Sequence, residues 1–160
     1  SIMIVQHLSS DSDNYLTTHF QLKCRIAVKE AEDKEPIRPG TVYFAPPNYH
    51  LLVETDKNLA LSGDEKINFA RPSVDVLFET AAEAYQDKLV GVILTGANSD
   101  GALGLAKIQA HGGLAVVQDP LTAEADAMPR AAIKASNPDH ILPLDQISAF
   151  LNELGGGAEQ

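Results

Sequence analysis

The sequence predicts an α/β domain: a doubly wound, mainly parallel sheet with helices on both faces and a small antiparallel excursion near its middle. Two patterns predict it. From Pro72 onward, short apolar runs alternate with segments whose apolar residues recur every three to four positions. Continuous apolar strands set between helices belong to parallel sheets covered on both faces. Before Pro72, strand-like runs from Ile26 to Val53 are punctuated by Pro39-Gly40 and Pro46-Pro47, which reads as the antiparallel part. With 160 residues, 44% of them apolar, the chain has the size of one domain with one core.

In order, the elements are as follows. Ile2 to Val5 is an apolar run with no capping or turn signal before it, as in a chain entering a buried strand. The expectation is that an upstream segment belongs to the same domain. Ser9, Ser10, Asp11, Ser12, Asp13 and Asn14 favour helix N-termini and lead into Tyr15, Leu16, His19, Phe20 and Leu22, predicting a helix from about Asp13 to Gln21. Ile26 with Val28, then Val42 to Ala45, then Leu51 to Val53, read as short strands. Ser73 is a good N-cap for an amphipathic helix carrying Val74, Leu77, Phe78, Ala81 and Tyr85. A strand from Leu89 to Leu94 follows, then a helix from Ala102 to Ala110 closed by Gly112-Gly113. Next come a strand from Leu114 to Gln118, a helix from Ala127 to Ala135, a strand from His140 to Leu142 and a helix from Leu144 to Leu154. Residues 155–160 read as a flexible tail.

Composition narrows the function. A formal charge of −10 disfavours a large nucleic-acid footprint, because such binders draw most of their affinity from Lys and Arg neutralising phosphates. The apolar runs fall far short of the ~20 residues that cross a bilayer, so no direct membrane insertion is expected. A single cysteine, Cys24, fits a reducing, cytoplasmic compartment and reads as a small core residue of a strand. His50, His111 and His140 show no metal-ligand spacing, and no metal or cofactor is expected.

In parallel sheets, sites lie beyond the carboxyl ends of the strands, which directs attention to the loops after Val5 and Leu94. His7, directly after the first strand, suits a general base, since an imidazole takes and returns protons near neutral pH; a structural histidine at a strand end is the other reading. Asp100 suits the acid that orients such a base, and equally suits the N-cap of the helix that begins at Ala102. The turn from Gly96 to Gly101 offers backbone N–H groups to a developing oxyanion, with Ala97 the candidate donor. It lacks the Lys and Ser/Thr of a phosphate loop and is not a dinucleotide fingerprint. Ser9, Ser10 and Ser12 fit capping better than nucleophilic work.

Taken in order, Val5-Gln6-His7, Val28 to Asp33, Pro39-Gly40, Tyr43-x-Ala45-Pro46, Arg71-Pro72-Ser73-Val74-Asp75, Gly91 to Gly96, Asp100-Gly101-Ala102 and Met128-Pro129-Arg130 resemble the catalytic domain of the chemotaxis protein-glutamate methylesterase (CheB) family. The resemblance covers residues 1–154. It implies a bacterial signalling enzyme that hydrolyses glutamate methyl esters, and deamidates certain glutamines, on the cytoplasmic helices of chemoreceptors. It places the triad histidine on His7 and the triad aspartate on Asp100, and puts Ala97 where the family has a methionine whose backbone amide faces the oxyanion. Arg71, Arg130 and Met128 become candidate substrate contacts, with salt bridges to surface carboxylates the other reading of the two arginines. The family's nucleophilic serine lies in a glycine-rich loop after a strand that would precede residue 1. The implied domain therefore lacks its first strand, nucleophile loop and first helix in this chain, and a receiver domain is a further expected partner outside it. The alternative is a non-catalytic signalling or adaptor module of the same fold.

Overall fold

The computed structural model describes residues 1–7 and 15–156; the capping stretch expected at Ser9 to Asn14 and most of the expected tail lie outside them. Two three-stranded parallel sheets and one antiparallel pair form the scaffold. In the first sheet, β1 (Ile2–Ile4) and β2 (Ala27–Glu30) both run parallel to β3 (Thr41–Phe44), with Ile2 opposite Val42 and Ala27 opposite Thr41. In the second, β6 (Val90–Ile93), β7 (Leu114–Gln118) and β8 (His140–Leu142) lie in that order, with Val90 opposite Leu114 and Val116 opposite His140. The antiparallel pair is β4 (His50–Val53) with β5 (Leu59–Ser62).

The antiparallel part is thus smaller and later than the sequence predicts. Val28 and Val42 to Phe44 belong to a parallel sheet, and β5 is a strand that the sequence pattern does not announce. The segment from 31 to 40 carries no helix, the usual sign of a parallel crossover, so the pairing of β2 with β3 left no local signal. β5 reads Leu-Ala-Leu-Ser, an alternation of large and small residues instead of apolar and polar ones.

Side chains alternate across the first sheet as strand geometry requires. Val28, Val42 and Phe44 face one way with Ile4, where Phe44 stacks on Phe20 of α1 (Tyr15–Lys23) at 6.0 Å. Tyr43 faces the other way, into a core with Leu51, Val53, Leu59, and Leu77 and Ala81 of α2 (Val74–Tyr85). α2 also joins the second core, where Val74 and Ala82 meet Ile93, Ala115 and Val117 of the sheet, Leu105 and Ile108 of α3 (Ala102–Ala110), and Met128 and Ala132 of α4 (Ala127–Ala135). α5 (Leu144–Gly156) packs on β7. Val5, just past β1, touches both cores and so sets His7 at their junction.

α1 ends two residues beyond the expected Gln21, which places Cys24 at a helix terminus. It is exposed and free there, not a core residue, and its N–H donates to the Phe20 carbonyl. α2 and α3 cross so closely that a Cβ on Gly104 would lie 2.6 Å from Phe78 Cβ and 3.1 Å from the Asp75 backbone. We expect Gly104→Ala to lower stability by about 1–3 kcal/mol in urea denaturation, because backbone at that distance cannot yield as a side chain does.

Candidate active site

His7 follows β1 and Asp100 follows β6, so both lie beyond carboxyl ends of parallel strands. Separated by 93 residues in sequence, they meet with His7 Nε2 2.8 Å from Asp100 Oδ2. The His7 side chain is 30% exposed and that of Asp100 fully buried. Nδ1 is the other ring nitrogen, and the Asn98 Nδ2 amide stands 3.4 Å from it.

Buried carboxylates persist where donors surround them. Asp100 accepts from Ser73 Oγ at 2.7 Å, the Val74 N–H at 2.7 Å and the Asp75 N–H at 3.1 Å, besides His7. Burial raises the carboxyl pKa, and the bonds from His7, Val74, Ser73 and Asp75 outweigh it, holding the group below the ordinary carboxylate range. Asp100 does act as a helix cap, but for α2 and not for the helix it precedes. Ser73, expected to cap α2 itself, makes no side-chain cap bond. The exchange is mutual: Asp75, in the first turn of α2, accepts the Gly104 N–H of α3 at 2.7 Å. Burial raises the Asp75 pKa, with the Gly104 bond opposing and the Asp100 charge adding. Gly101 permits this crossing, since its φ is +89° and a Cβ there would lie 2.6 Å from both Val74 Cγ1 and Ile93 Cδ1.

The turn between β6 and Asp100 is pinned from the β7–α4 side. Buried Gln118 accepts the Thr95 N–H at 2.9 Å, and the Gly96 N–H donates to the Ala125 carbonyl at 2.9 Å. Asn98 Oδ1 accepts the Asp100 N–H at 3.0 Å. Ala97 is exposed between these fixed points, and among the described residues its N–H has no hydrogen-bond partner. An imidazole bonded to a buried carboxylate can take and return a proton, and an amide without an internal partner can donate to an anion.

A model of the family described as CheB methylesterase matches residues 1–151. The chain belongs to the CheB methylesterase family. A relative from Leptospira interrogans serogroup Icterohaemorrhagiae serovar copenhageni, a putative protein-glutamate methylesterase/protein-glutamine glutaminase, is 60% identical over 153 residues, which are 96% of this chain and 79% of the relative. The protein-glutamate methylesterase/protein-glutamine glutaminase of Thermotoga maritima is 36% identical over 156 residues, 96% of this chain and 45% of the relative. The chain thus spans less than half of the Thermotoga protein. Its fold matches the crystal structure of the Thermotoga maritima CheB methylesterase catalytic domain with a TM-score of 0.89 at 36% identity, covering 96% of this chain and 82% of that one.

In this CheB-family fold the three remaining candidates sit differently. Arg71 is turned toward the protein: Nη1 donates to the Gly63 and Asp64 carbonyls at 2.7 and 2.8 Å, and its buried Nε has no partner among the described residues. Met128 is 8% exposed and packs beneath Gly96, where a Cβ would fall 2.0 Å from its sulfur. It supports that loop from beneath. Arg130 lies in α4 and is exposed, with Nε 2.6 Å from Asp126 Oδ2. Among the described residues no group of His, Cys, Asp and Glu could hold a metal ion. Ser73, His50 and Asn98 do not stand out as site residues in the sequence. Only the Arg-Pro-Ser-Val-Asp run around Ser73 gives any signal, and it reads as a helix start.

Proposed function

We propose that this chain is the His-Asp part of a Ser-His-Asp carboxyl-ester hydrolase, a protein-glutamate methylesterase, whose nucleophilic serine precedes residue 1. The observation that carries the reading is the 2.8 Å contact between His7 and a fully buried Asp100. That contact uses Nε2, so Nδ1 receives the proton of the serine hydroxyl as its oxygen attacks the ester carbonyl. The Ala97 N–H, together with other backbone donors, stabilises the tetrahedral oxyanion. Collapse of the intermediate breaks the bond to the methoxy oxygen, which takes the proton from His7 and leaves as methanol. Water then attacks the acyl-enzyme, His7 removes its proton, and the serine regains one as glutamate is released. A glutamine side chain enters by the same route and leaves ammonia in place of methanol.

Free edges support an upstream strand. Among the described residues β1 pairs only with β3, and β6 only with β7, although His7 and Asp100 bring the ends of these two strands together. The substrate is the methylated cytoplasmic helix of a chemoreceptor, approached past Arg130, with Arg71 and Met128 shaping the rim. The protein works in the cytoplasm, beside a receiver domain that governs access to the site. No helix of the described residues is long and apolar enough to cross a membrane. Methanol release from methylated receptor membranes by the full-length protein tests the reading: release is expected, and its absence with a folded protein points instead to a binding module.

A further inference from the structure

Asp100 is held by side chains that the reaction never touches. Ser73 is fully buried and its hydroxyl donates to Asp100 Oδ1 at 2.7 Å. Its N–H donates to His50 Nδ1 at 3.2 Å, and His50, 2% exposed, reaches the Glu65 carbonyl with Nε2 at 3.0 Å. A backbone N–H only donates and a carbonyl only accepts, so these partners fix the His50 tautomer with its proton on Nε2. A continuous hydrogen-bonded chain, buried at His50, Ser73 and Asp100, therefore runs from the Glu65 carbonyl to His7.

The packing of α2 does not require this chain. The Ser73 hydroxyl makes no cap bond, and the first N–H groups of the helix, from Val74 and Asp75, are satisfied by Asp100. An apolar side chain in place of Ser73 would leave the Val74 and Asp75 N–H groups bonded to Asp100. What the two side chains add is a fourth donor on Asp100 and a fixed place for that donor.

We propose that Ser73 and His50 are positioning residues for methyl-ester hydrolysis: the Ser73 hydroxyl holds the Asp100 carboxylate where it meets His7 Nε2, and His50 holds Ser73. This rests on the esterase reading under Proposed function. Besides Ser73, the groups facing Asp100 are His7 from the end of β1 and Asp75 from the first turn of α2. Donors on the carboxylate share its negative charge. Removing one strengthens its hold on the His7 proton, so more alkaline pH is needed to free the base.

The experiment is Ser73→Ala in the full-length protein, assayed by methanol release across pH. We expect kcat to fall about 10- to 100-fold, the worth of one hydrogen bond to a charged group, with KM little changed and the acidic limb of the profile moved to higher pH. In an Asp100→Ala background the same substitution is expected to cost almost nothing, because its target is gone. His50→Gln, which keeps an acceptor and a donor, retains near-normal kcat, whereas His50→Leu loses as much as Ser73→Ala. Wild-type kcat and pH limb in Ser73→Ala overturn the proposal, as does an equal loss in both backgrounds. If the wild-type protein releases no methanol, the esterase reading fails separately. The positioning is then decided by the His7 Nε2–H proton resonance, which moves in Ser73→Ala if the chain holds Asp100 and stays put if it does not.

Discussion

His7→Ala in the full-length protein lowers kcat for methyl-ester hydrolysis by on the order of 10⁴- to 10⁶-fold, the usual consequence of removing the base from a hydrolase triad. Stability changes little. The His7 side chain is 30% exposed at a strand end, and Asp100 keeps its three donors from Ser73, Val74 and Asp75 when the imidazole is gone. Steady-state methanol release together with urea denaturation separates the two quantities. A loss of activity that tracked a loss of fold would show that His7 serves the strand end and not the reaction.

Asp100→Asn strikes both activity and fold. All four of its partners donate, and an asparagine has one oxygen to accept and an amide that cannot, so at least one donor is left facing a donor. A fall in kcat on the order of 10⁴-fold follows from the wrong ring tautomer. A stability loss of about 2–4 kcal/mol near neutral pH follows from the buried groups left unpaired. The pH dependence has a definite sign. The folded-state pKa of Asp100 lies below the ordinary value, so its contribution is complete above an unfolded pKa near ~3.9 and is lost as pH falls through the lower folded value. The stability gap between wild type and Asp100→Asn therefore narrows in acid. Asp75 has the opposite sign: its folded pKa is raised, so its contribution is fullest below the unfolded value and is lost as pH rises through the folded one. Chemical denaturation at a series of pH values follows the gap, and a gap that widened in acid would contradict the assignment of the depressed pKa to Asp100.

Much of the carboxyl-terminal half was legible in the sequence. The bounds of α3, β7, α4 and β8 coincide with the periodic segments, because Gly112 and Gly113, and the polar residues before Ala127, are strong local punctuation. The middle was less legible. β2 and β3 pair in parallel across a segment without a helix, and nothing local announces such a pairing. The candidate site divides along the same line. His7 and Asp100 each had two readings from their own surroundings, and only the family resemblance joined them across 93 residues. The exchange of caps between α2 and α3 was invisible for a similar reason. Ser73 and Asp100 each precede a helix and look like its own cap, yet Asp100 serves the other helix and Ser73 serves Asp100. Local propensity names the residue type that a helix start needs, whereas tertiary packing decides which donor it meets.

The claim that His7 and Asp100 activate a serine lying before residue 1 is tested most directly by labelling the full-length protein with a fluorophosphonate and locating the adduct by peptide mass spectrometry. One phosphonylated serine is expected, upstream of residue 1, and no adduct in a His7→Ala variant. An adduct on Ser9, Ser10 or Ser12, or equal labelling with and without His7, would contradict it.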